Sequence, residues 1–305
     1  MWRSMGRARR LARAGSALLL VIAISALAAG CGDSASSSTT AQGDRFDAAK
    51  AWRLIERQLA AGQRPAGSPQ LRKLATELRP LLPDAHFEPI PGQPGLRNIV
   101  GVLPGQKPAI VLGAHYDTLA KPRGFVGANN GAAGTAIVIE AAQALRSTKS
   151  EAGDREVRFV LFDGEEPPAE LPEESPHFYN EGLRGSRAYV AAHPGETASM
   201  ILLDYVGNRG LLLDREVNST PALWQRVLIA ADTAGASNLF SSEARAEVTD
   251  DHTPFLRSGV PAVDLIDWRY PGHDVSDRLD KLSRQSVDGV GETIVQLVEE
   301  VRAEK

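Results

Sequence analysis

The sequence is poor in cysteine, in net charge and in long apolar runs. Its 305 residues include one cysteine, which excludes an internal disulfide and a cysteine-based zinc cluster. Lysine and arginine number 34 against 38 acidic residues, so the formal net charge of −4 gives no electrostatic reason to expect nucleic-acid binding. The apolar runs are shorter than the about 20 residues that a transmembrane span needs. With 43% hydrophobic residues, the chain is still too apolar to be disordered.

The first 30 residues have the composition of a signal peptide. They contain five arginines and no acidic residue, and an apolar run from Ala17 to Ala29 follows the arginines. Removing them changes the formal net charge from −4 to −9. Residues 31–45 are mostly small and polar, which is typical of a flexible tether. A globular domain without internal repeats is therefore expected over residues 46–305.

The end of this segment, Leu27-Ala28-Ala29-Gly30-Cys31, resembles a bacterial lipobox, in which the cysteine is acylated and becomes the mature N-terminus. Ala28 departs from the pattern, since leucine is usual there. The prediction is an exported cell-membrane lipoprotein that faces outside the cytoplasm and is anchored through a lipid on Cys31. An ordinary secretory signal with a chance cysteine is the alternative, and Arg9-Arg10 also raises a twin-arginine signal.

Apolar periodicity alternates between strands and helices along the domain. Short apolar runs predict buried strands at Asn98–Leu103, Ala109–His115, Val157–Asp163, Met200–Tyr205 and Ala262–Ile266. Helical spacing is found over Asp47–Ala60, Ser68–Leu82, Gly134–Arg146, Gly182–Ala192, Pro221–Ala234 and Val287–Ala303. This alternation predicts a single α/β domain with a mostly parallel central sheet flanked by helices.

Polar residues collect where four of the predicted strands end. They are His115 and Asp117, then Asp163, Glu165 and Glu166, then Asp204, and finally His273 and Asp274. One polar residue at a solvated strand end indicates little, but four such ends indicate a site at the carboxyl edge of the sheet. Imidazole and carboxylate are the zinc ligands available without cysteine. One of two adjacent glutamates can bind metal while the other stays free as general acid/base.

These residues also carry a family pattern. The chain resembles the zinc-dependent M28 peptidase superfamily and, within it, the glutaminyl-peptide cyclotransferases (glutaminyl cyclases). The most specific matching blocks are Phe162-Asp163-Gly164-Glu165-Glu166 and Asp250-Asp251-His252-Thr253-Pro254-Phe255-Leu256-Arg257-Ser258-Gly259-Val260-Pro261. Shorter matches are Ala114-His115-Tyr116-Asp117-Thr118 and Leu202-Leu203-Asp204. The resemblance implies a zinc-aminopeptidase-like (M28) fold, with the catalytic domain over residues 46–305.

The resemblance also implies a role for each matching residue. Zinc ligation falls on Glu166 and His273, general acid/base catalysis on Glu165, and the hydrogen-bond network around it on Asp204 and Asp251. In the two-zinc aminopeptidases the positions of His115 and Asp204 hold the second metal, so His115 is a ligand only if a second metal binds. The cyclases keep one zinc, which makes one ion the expectation for this chain.

Asn130 departs from the family, which has an aspartate ligand at this position. A neutral amide oxygen is a weaker zinc ligand than a carboxylate and a poor bridge between two cations. Several interpretations stay open. The site holds one zinc with lower affinity through Asn130, or it is degenerate, or Asp117 or Asp163 substitutes. Deamidation of Asn130-Gly131 to aspartate is a further interpretation.

The expected substrate pocket departs as well. The cyclases have an aromatic-lined pocket with a tryptophan just before the C-terminal histidine ligand, and this chain has Gly272 there. Trp268 and Tyr270 lie nearby and are expected to supply the aromatic wall, with simple packing as the alternative.

Three functions follow from these observations. The first is a zinc-dependent glutaminyl cyclase, which converts the N-terminal glutamine of a peptide to pyroglutamate and releases ammonia. The second is an M28 zinc aminopeptidase, and the third is a non-catalytic binding protein on the same fold. The expected partners are peptide or protein N-termini and, through the lipid, a membrane. The protein is expected to be a monomer that binds no nucleic acid.

Overall fold

The computed structural model describes residues 44–148, 151–168 and 177–304. The predicted signal peptide, Cys31 and residues 32–43 of the predicted tether lie outside these ranges. So do residues 169–176 of the loop that follows Glu166. All described residues belong to one compact unit.

A six-stranded sheet forms the centre of this unit and confirms the predicted α/β class. Its strands are β1 (His86–Pro89), β2 (Arg97–Leu103), β3 (Gln106–His115), β4 (Arg155–Phe162), β5 (Thr197–Asp204) and β8 (Ala262–Ile266), while β6 (Leu213–Arg215) and β7 (Phe240–Ala244) pair separately. The strand order in the large sheet is β1-β2-β4-β3-β5-β8. Strands β4, β3, β5 and β8 run parallel, and β1 and β2 add antiparallel pairs at one edge.

Helices cover both faces of the sheet. Those in the described residues are α1 (Ala48–Ala60), α2 (Pro69–Leu78), α3 (Gly134–Arg146), α4 (Phe178–Glu181), α5 (Arg184–Ala192), α6 (Pro221–Thr233), α7 (Thr253–Arg257) and α8 (Arg284–Ala303). Successive strand residues point to opposite faces. On β3, Ile110 and Leu112 therefore join the core formed with α1, α3, α6 and α8, whereas Val111 packs in the cluster that contains Tyr189 and Phe255. None of the described helices is long and apolar enough to cross a membrane.

Helix α3 and strand β8 have the predicted bounds, and most other differences have local causes. Helix α2 ends at Leu78, before the predicted Leu82, because Pro80 lacks a backbone N–H and restricts the residue before it. Helix α5 begins at Arg184, two residues after the predicted start, because Leu183 is left-handed with φ 49°. The elements β1, β6, β7, α4 and α7 were not predicted, since so few residues show too little periodicity.

The carboxyl ends of the four parallel strands meet at one edge of the sheet, where ligands bind in open α/β sheets. His115 is the last residue of β3 and Asp204 the last of β5. Glu165 follows the end of β4, and His273 lies in the loop after β8. The topology thus brings the predicted site residues to one edge.

Candidate active site

A cavity of about 270 Å³ opens at this edge of the sheet. Its lining includes seven residues of interest here, namely Asn130, Glu165, Glu166, Asp204, Tyr205, Trp268 and His273. Six of these were predicted from the sequence as site residues, and Tyr205 was not. The volume is just below the ~300–1,000 Å³ of sites for drug-sized ligands, so the cavity suits one terminal residue better than an extended peptide.

His115 lies beneath the cavity and is almost completely buried. Its Nε2 is 3.4 Å from Oδ1 of Asp204, and its Nδ1 is 3.7 Å from Oδ1 of Asp117 and 3.9 Å from Oε2 of Glu165. Burial lowers the pKa of His115, but the carboxylates of Asp117 and Asp204 outweigh burial and raise it well above the usual value. Neither ring nitrogen has a hydrogen-bond partner among the described residues.

The two glutamates after β4 are held by Asp117. Its Oδ1 accepts the backbone N–H of Glu165 at 3.2 Å, and its Oδ2 accepts that of Glu166 at 3.3 Å. Burial, together with the neighbouring Glu166, raises the pKa of Glu165 well above its usual value. The Asp117 side chain therefore positions both glutamates by holding their backbone N–H groups. Asp163 accepts hydrogen bonds from the Arg97 N–H at 2.9 Å and the Tyr116 hydroxyl at 3.2 Å, and it does not line the cavity.

Asn130 lies in the tight turn Ala128–Ala133 that precedes α3. Asp277, 147 residues away, accepts the backbone N–H groups of Asn129 at 2.9 Å and Asn130 at 3.0 Å. At Gly131, φ is 93°, and a Cβ there would lie 3.2 Å from the His115 ring. A glycine is therefore needed where the turn passes the histidine. This geometry presents the Asn130 side chain to the cavity.

The Tyr205 hydroxyl lies between two of the predicted metal ligands. Nδ2 of Asn130 donates to it at 3.1 Å, and Nε2 of His273 contacts it directly. No sequence signal marked this residue, because Tyr205 was interpreted as the last residue of a buried strand.

The acidic pair of the Asp250-Asp251 block is split by the fold. Asp250 lines the cavity, and burial together with Asp204 raises its pKa to about 6. Asp251, the predicted network member, is completely buried and does not line the cavity. Its backbone N–H donates to Oδ1 of Asp250 at 2.5 Å. Asp250 is thus the member of the pair that faces the site, and sequence reasoning missed it.

The two predicted pocket aromatics have different surroundings. Trp268 lines the cavity with 51% of its surface exposed. The Tyr270 hydroxyl donates to Oδ1 of Asp277 at 2.6 Å, and Tyr270 does not line the cavity. Tyr270 therefore supports the turn that carries Asn130. Phe178 of α4 adds a second aromatic side chain to the lining.

The chemistry of these groups fits a bound cation. Histidine and carboxylate atoms of His115, Glu165 and Glu166 lie within 4.8 Å of one another. The side-chain oxygen of Asn130 is buried with no hydrogen-bond partner in the part of the chain that the structure describes. Several buried carboxylates lie together at this edge of the sheet. Burying them costs free energy unless a positive charge compensates theirs. A bound metal ion would supply that charge.

The sheet topology and the histidine–carboxylate site at its carboxyl edge define a metal-dependent exopeptidase-like α/β enzyme. The chain belongs to Peptidase family M28, whose family model matches residues 98–298. Family membership and the donor set indicate zinc as the metal.

The similar proteins include glutaminyl cyclases and an aminopeptidase. The mouse glutaminyl-peptide cyclotransferase-like protein is 28% identical over 261 residues, which cover 74% of this chain and 68% of that protein. The chain spans 63% of several snake glutaminyl-peptide cyclotransferases. The glutaminyl cyclase of an Acidobacteriales bacterium superposes with a TM-score of 0.71 at 28% identity, covering 91% of this chain and 99% of its own. A leucine aminopeptidase precursor from Bacteroides thetaiotaomicron gives 0.72 at 25% identity, covering 85% and 98%. The chain is a glutaminyl-cyclase-like member of its family.

Proposed function

We propose that the protein is a zinc-dependent glutaminyl cyclase that converts the N-terminal glutamine of peptides or proteins to pyroglutamate with release of ammonia. The observation that carries the proposal is Glu165, a buried carboxylate whose pKa is raised, in the wall of a cavity of about 270 Å³. A cavity of this size accepts one terminal residue. The similarity to several glutaminyl cyclases supports the same reaction.

Glu165 moves the proton in this reaction. It takes a proton from the attacking α-amine and passes it to the amide nitrogen that leaves as ammonia. The bond that forms joins the α-nitrogen to the γ-carbonyl carbon, and the bond that breaks is the carbon–nitrogen bond of the side-chain amide. A base whose pKa lies nearer the working pH serves both steps, and burial shifts Glu165 in that direction. Asp204 and Asp250 border the same cavity, and they orient the α-amine and the side-chain amide nitrogen, which exchange the proton with Glu165.

Glu166, His273 and Asn130 line the cavity together and would hold a single zinc ion, while His115 and Glu165 of the histidine–carboxylate cluster lie beside Glu166. When bound, the ion supplies a Lewis acid that polarises the γ-carbonyl oxygen. Asp117 fixes the backbone of Glu166, and Asp277 fixes that of Asn130, so the main chain that carries both ligands is held in place without the metal.

The M28 aminopeptidase is a second candidate function, and one contact favours it. His115 and Asp204, which lie 3.4 Å apart, offer ligands for a second metal. A leucine aminopeptidase precursor is also among the similar structures. Asn130 argues against it, since a neutral amide bridges two cations poorly. A non-catalytic binding protein is the third candidate, and it rests on Asn130 alone.

The test is a comparison of two activities and one variant. Wild-type protein is assayed for ammonia release from a peptide with N-terminal glutamine and for cleavage of an aminoacyl-nitroanilide, with zinc measured per chain. We expect ammonia release that falls by ~10²–10⁴-fold in Glu165→Gln, because the proton carrier is lost. The exposed Glu243→Gln serves as the control and should keep full activity.

The alternatives give different results in the same assays. Nitroanilide cleavage without ammonia release would reject the cyclase in favour of the aminopeptidase. Absence of both activities, with no zinc bound, would leave the binding protein. Ammonia release that survives in Glu165→Gln would show that another group carries the proton.

We further propose that the mature protein is a monomer that acts outside the cytoplasm, tethered to a cell membrane by a lipid on Cys31. The composition of residues 1–30 and the position of the sole cysteine support this proposal. Sedimentation of delipidated protein checks the monomer, and a dimer at working concentration would contradict it.

A further inference from the structure

Tyr205 is a buried residue with no role in the reaction described above. Only 2% of its surface is exposed, although it lines the cavity. Its hydroxyl contacts Nδ2 of Asn130 and Nε2 of His273, two of the three expected zinc ligands. The phenol oxygen therefore lies within the expected ligand set.

The orientation of the Asn130 amide determines which of its two polar atoms faces Tyr205 and which faces the expected metal. Nδ2 donates to the tyrosine oxygen, and Oδ1 is left buried without a hydrogen-bond partner among the described residues. An aspartate at position 130 could not donate to Tyr205. The asparagine instead favours a tyrosine oxygen that accepts, and its own carbonyl oxygen remains available for a cation.

Ligand strength leads to the same conclusion. An aspartate ligand would bring one negative charge to the zinc, and Asn130 brings none. The Tyr205 oxygen contacts both Asn130 and His273, so it lies where a further oxygen donor would offset the weaker ligand.

The fold holds the Tyr205 ring in this place. Its backbone is left-handed, with φ 48°, which is uncommon for a bulky residue and found at functional sites. Asp204 accepts the Tyr205 N–H through Oδ1 at 2.9 Å, and the ring stacks on Trp268 with centroids 6.5 Å apart. A Cβ at Gly272 would lie 2.8 Å from the ring, so only glycine there leaves the ring its space.

We propose that the Tyr205 oxygen is a direct ligand of the metal ion and compensates for the neutral Asn130. Coordination displaces the phenol proton to solvent, because protein ligands bind metal in their deprotonated form. The proposal rests on the metal centre of the proposed function but not on cyclisation, so its test measures metal binding.

The experiment compares zinc affinity by competition with a chromophoric chelator. Tyr205→Phe keeps the ring and removes the oxygen, and we expect zinc affinity at least tenfold weaker than in wild type. Tyr189→Phe is the matched control, since Tyr189 is a buried tyrosine that does not line the cavity and whose hydroxyl accepts from Arg158 at 3.3 Å. It should bind zinc like wild type. Copper(II)-loaded wild type should show a phenolate-to-copper charge-transfer band that Tyr205→Phe lacks.

A double variant tests the compensation between the two residues. Asn130→Asp alone should bind zinc more tightly than wild type. In Tyr205→Phe/Asn130→Asp a carboxylate replaces the lost oxygen donor, so affinity should return to within a few-fold of wild type. Asn130→Asp should gain more zinc affinity in the Tyr205→Phe background than in wild type, because the two residues act on the same ion.

Three results would overturn the proposal. Unchanged zinc affinity in Tyr205→Phe would show that the hydroxyl is not a ligand. Tighter binding in that variant would show that the phenol competes with the metal for its place. Wild-type protein that binds no zinc would show that there is no metal centre for Tyr205 to join. Failure of ammonia release with the expected zinc affinities would reject the cyclase and leave the ligand assignment intact.

Discussion

Trp268 is one of the large apolar residues that the described part of the chain leaves exposed. About half of its surface, 51%, is open, and its ring borders the cavity beside Tyr205. Aromatic residues in a wall next to a few polar groups are typical of ligand sites. We therefore predict that Trp268 contacts the substrate.

Removing this ring tests that role. Trp268→Ala should raise KM by about tenfold, since loss of an aromatic contact costs roughly 1–2 kcal/mol, with kcat within a few-fold of wild type. Ile229, which is 54% exposed on α6 and outside the cavity, gives the control Ile229→Ala. Steady-state kinetics on a peptide with N-terminal glutamine measure both. An unchanged KM in Trp268→Ala would return this residue to a packing role.

The candidate site was predictable at the residue scale to the extent that strand ends carry chemistry. His115, Glu165 and Asp204 follow apolar runs, and this local signal identified them. Asp117 was identified only as a possible substitute ligand, and its hold on two backbone N–H groups is a tertiary contact. Tyr205 gave no signal, since a tyrosine after a buried strand is ordinary core sequence.

At the scale of elements, the turn Ala128–Ala133 depends on a distant loop. Asp277 accepts two of its backbone N–H groups and the Tyr270 hydroxyl. Burial raises the pKa of Asp277, and these donors oppose that rise. The loop after β8 and the turn before α3 are thus joined by one buried carboxylate.

Loss of this carboxylate should weaken both stability and the metal site. Asp277→Ala leaves two buried N–H groups unpaired, so the free energy of unfolding should fall by about 2–4 kcal/mol and zinc affinity should fall with it. Asp274→Ala, an exposed acid in the same loop, should change stability by less than about 0.5 kcal/mol. Urea unfolding and zinc titration measure the two effects. Equal stability of the two variants would show that Asp277 does not support the turn.

Long elements were predictable and short ones were not. Helix α3 and strand β8 have enough periodic residues to fix their bounds. Strands β6 and β7, of three and five residues, owe their pairing to the segments packed around them. Their existence is therefore a tertiary property.

At the scale of the whole molecule, the net charge and the single cysteine are the features that bear on the proposed location of the protein at a membrane. The domain and tether carry a net −9 once residues 1–30 are removed, and Cys31 then becomes the first residue. The described helices provide no membrane span. Under the proposal, attachment to a membrane depends on the cysteine.

Substitution of this cysteine is the corresponding prediction. Cys31→Ser in the full chain, expressed in a bacterium, should lose fatty-acid labelling and move from the membrane fraction to the soluble exported fraction. Cyclase activity of the variant should stay at the wild-type level, because residue 31 lies outside residues 46–305. Membrane association that persists without Cys31 would contradict the lipid anchor.

The sequence by itself determined the ligand chemistry and the class of fold. With one cysteine, a cysteine-based zinc cluster was excluded and the metal donors had to come from nitrogen- and oxygen-bearing side chains, and the alternation of apolar runs and helices required a mostly parallel sheet whose strand ends meet. Only the tertiary structure decided which groups hold these donors. Asp277 reaches Asn130 across 147 residues, and Tyr205 meets His273 across 68. Contacts at such separations leave no local pattern, because they depend on how the whole sheet and its loops close in space.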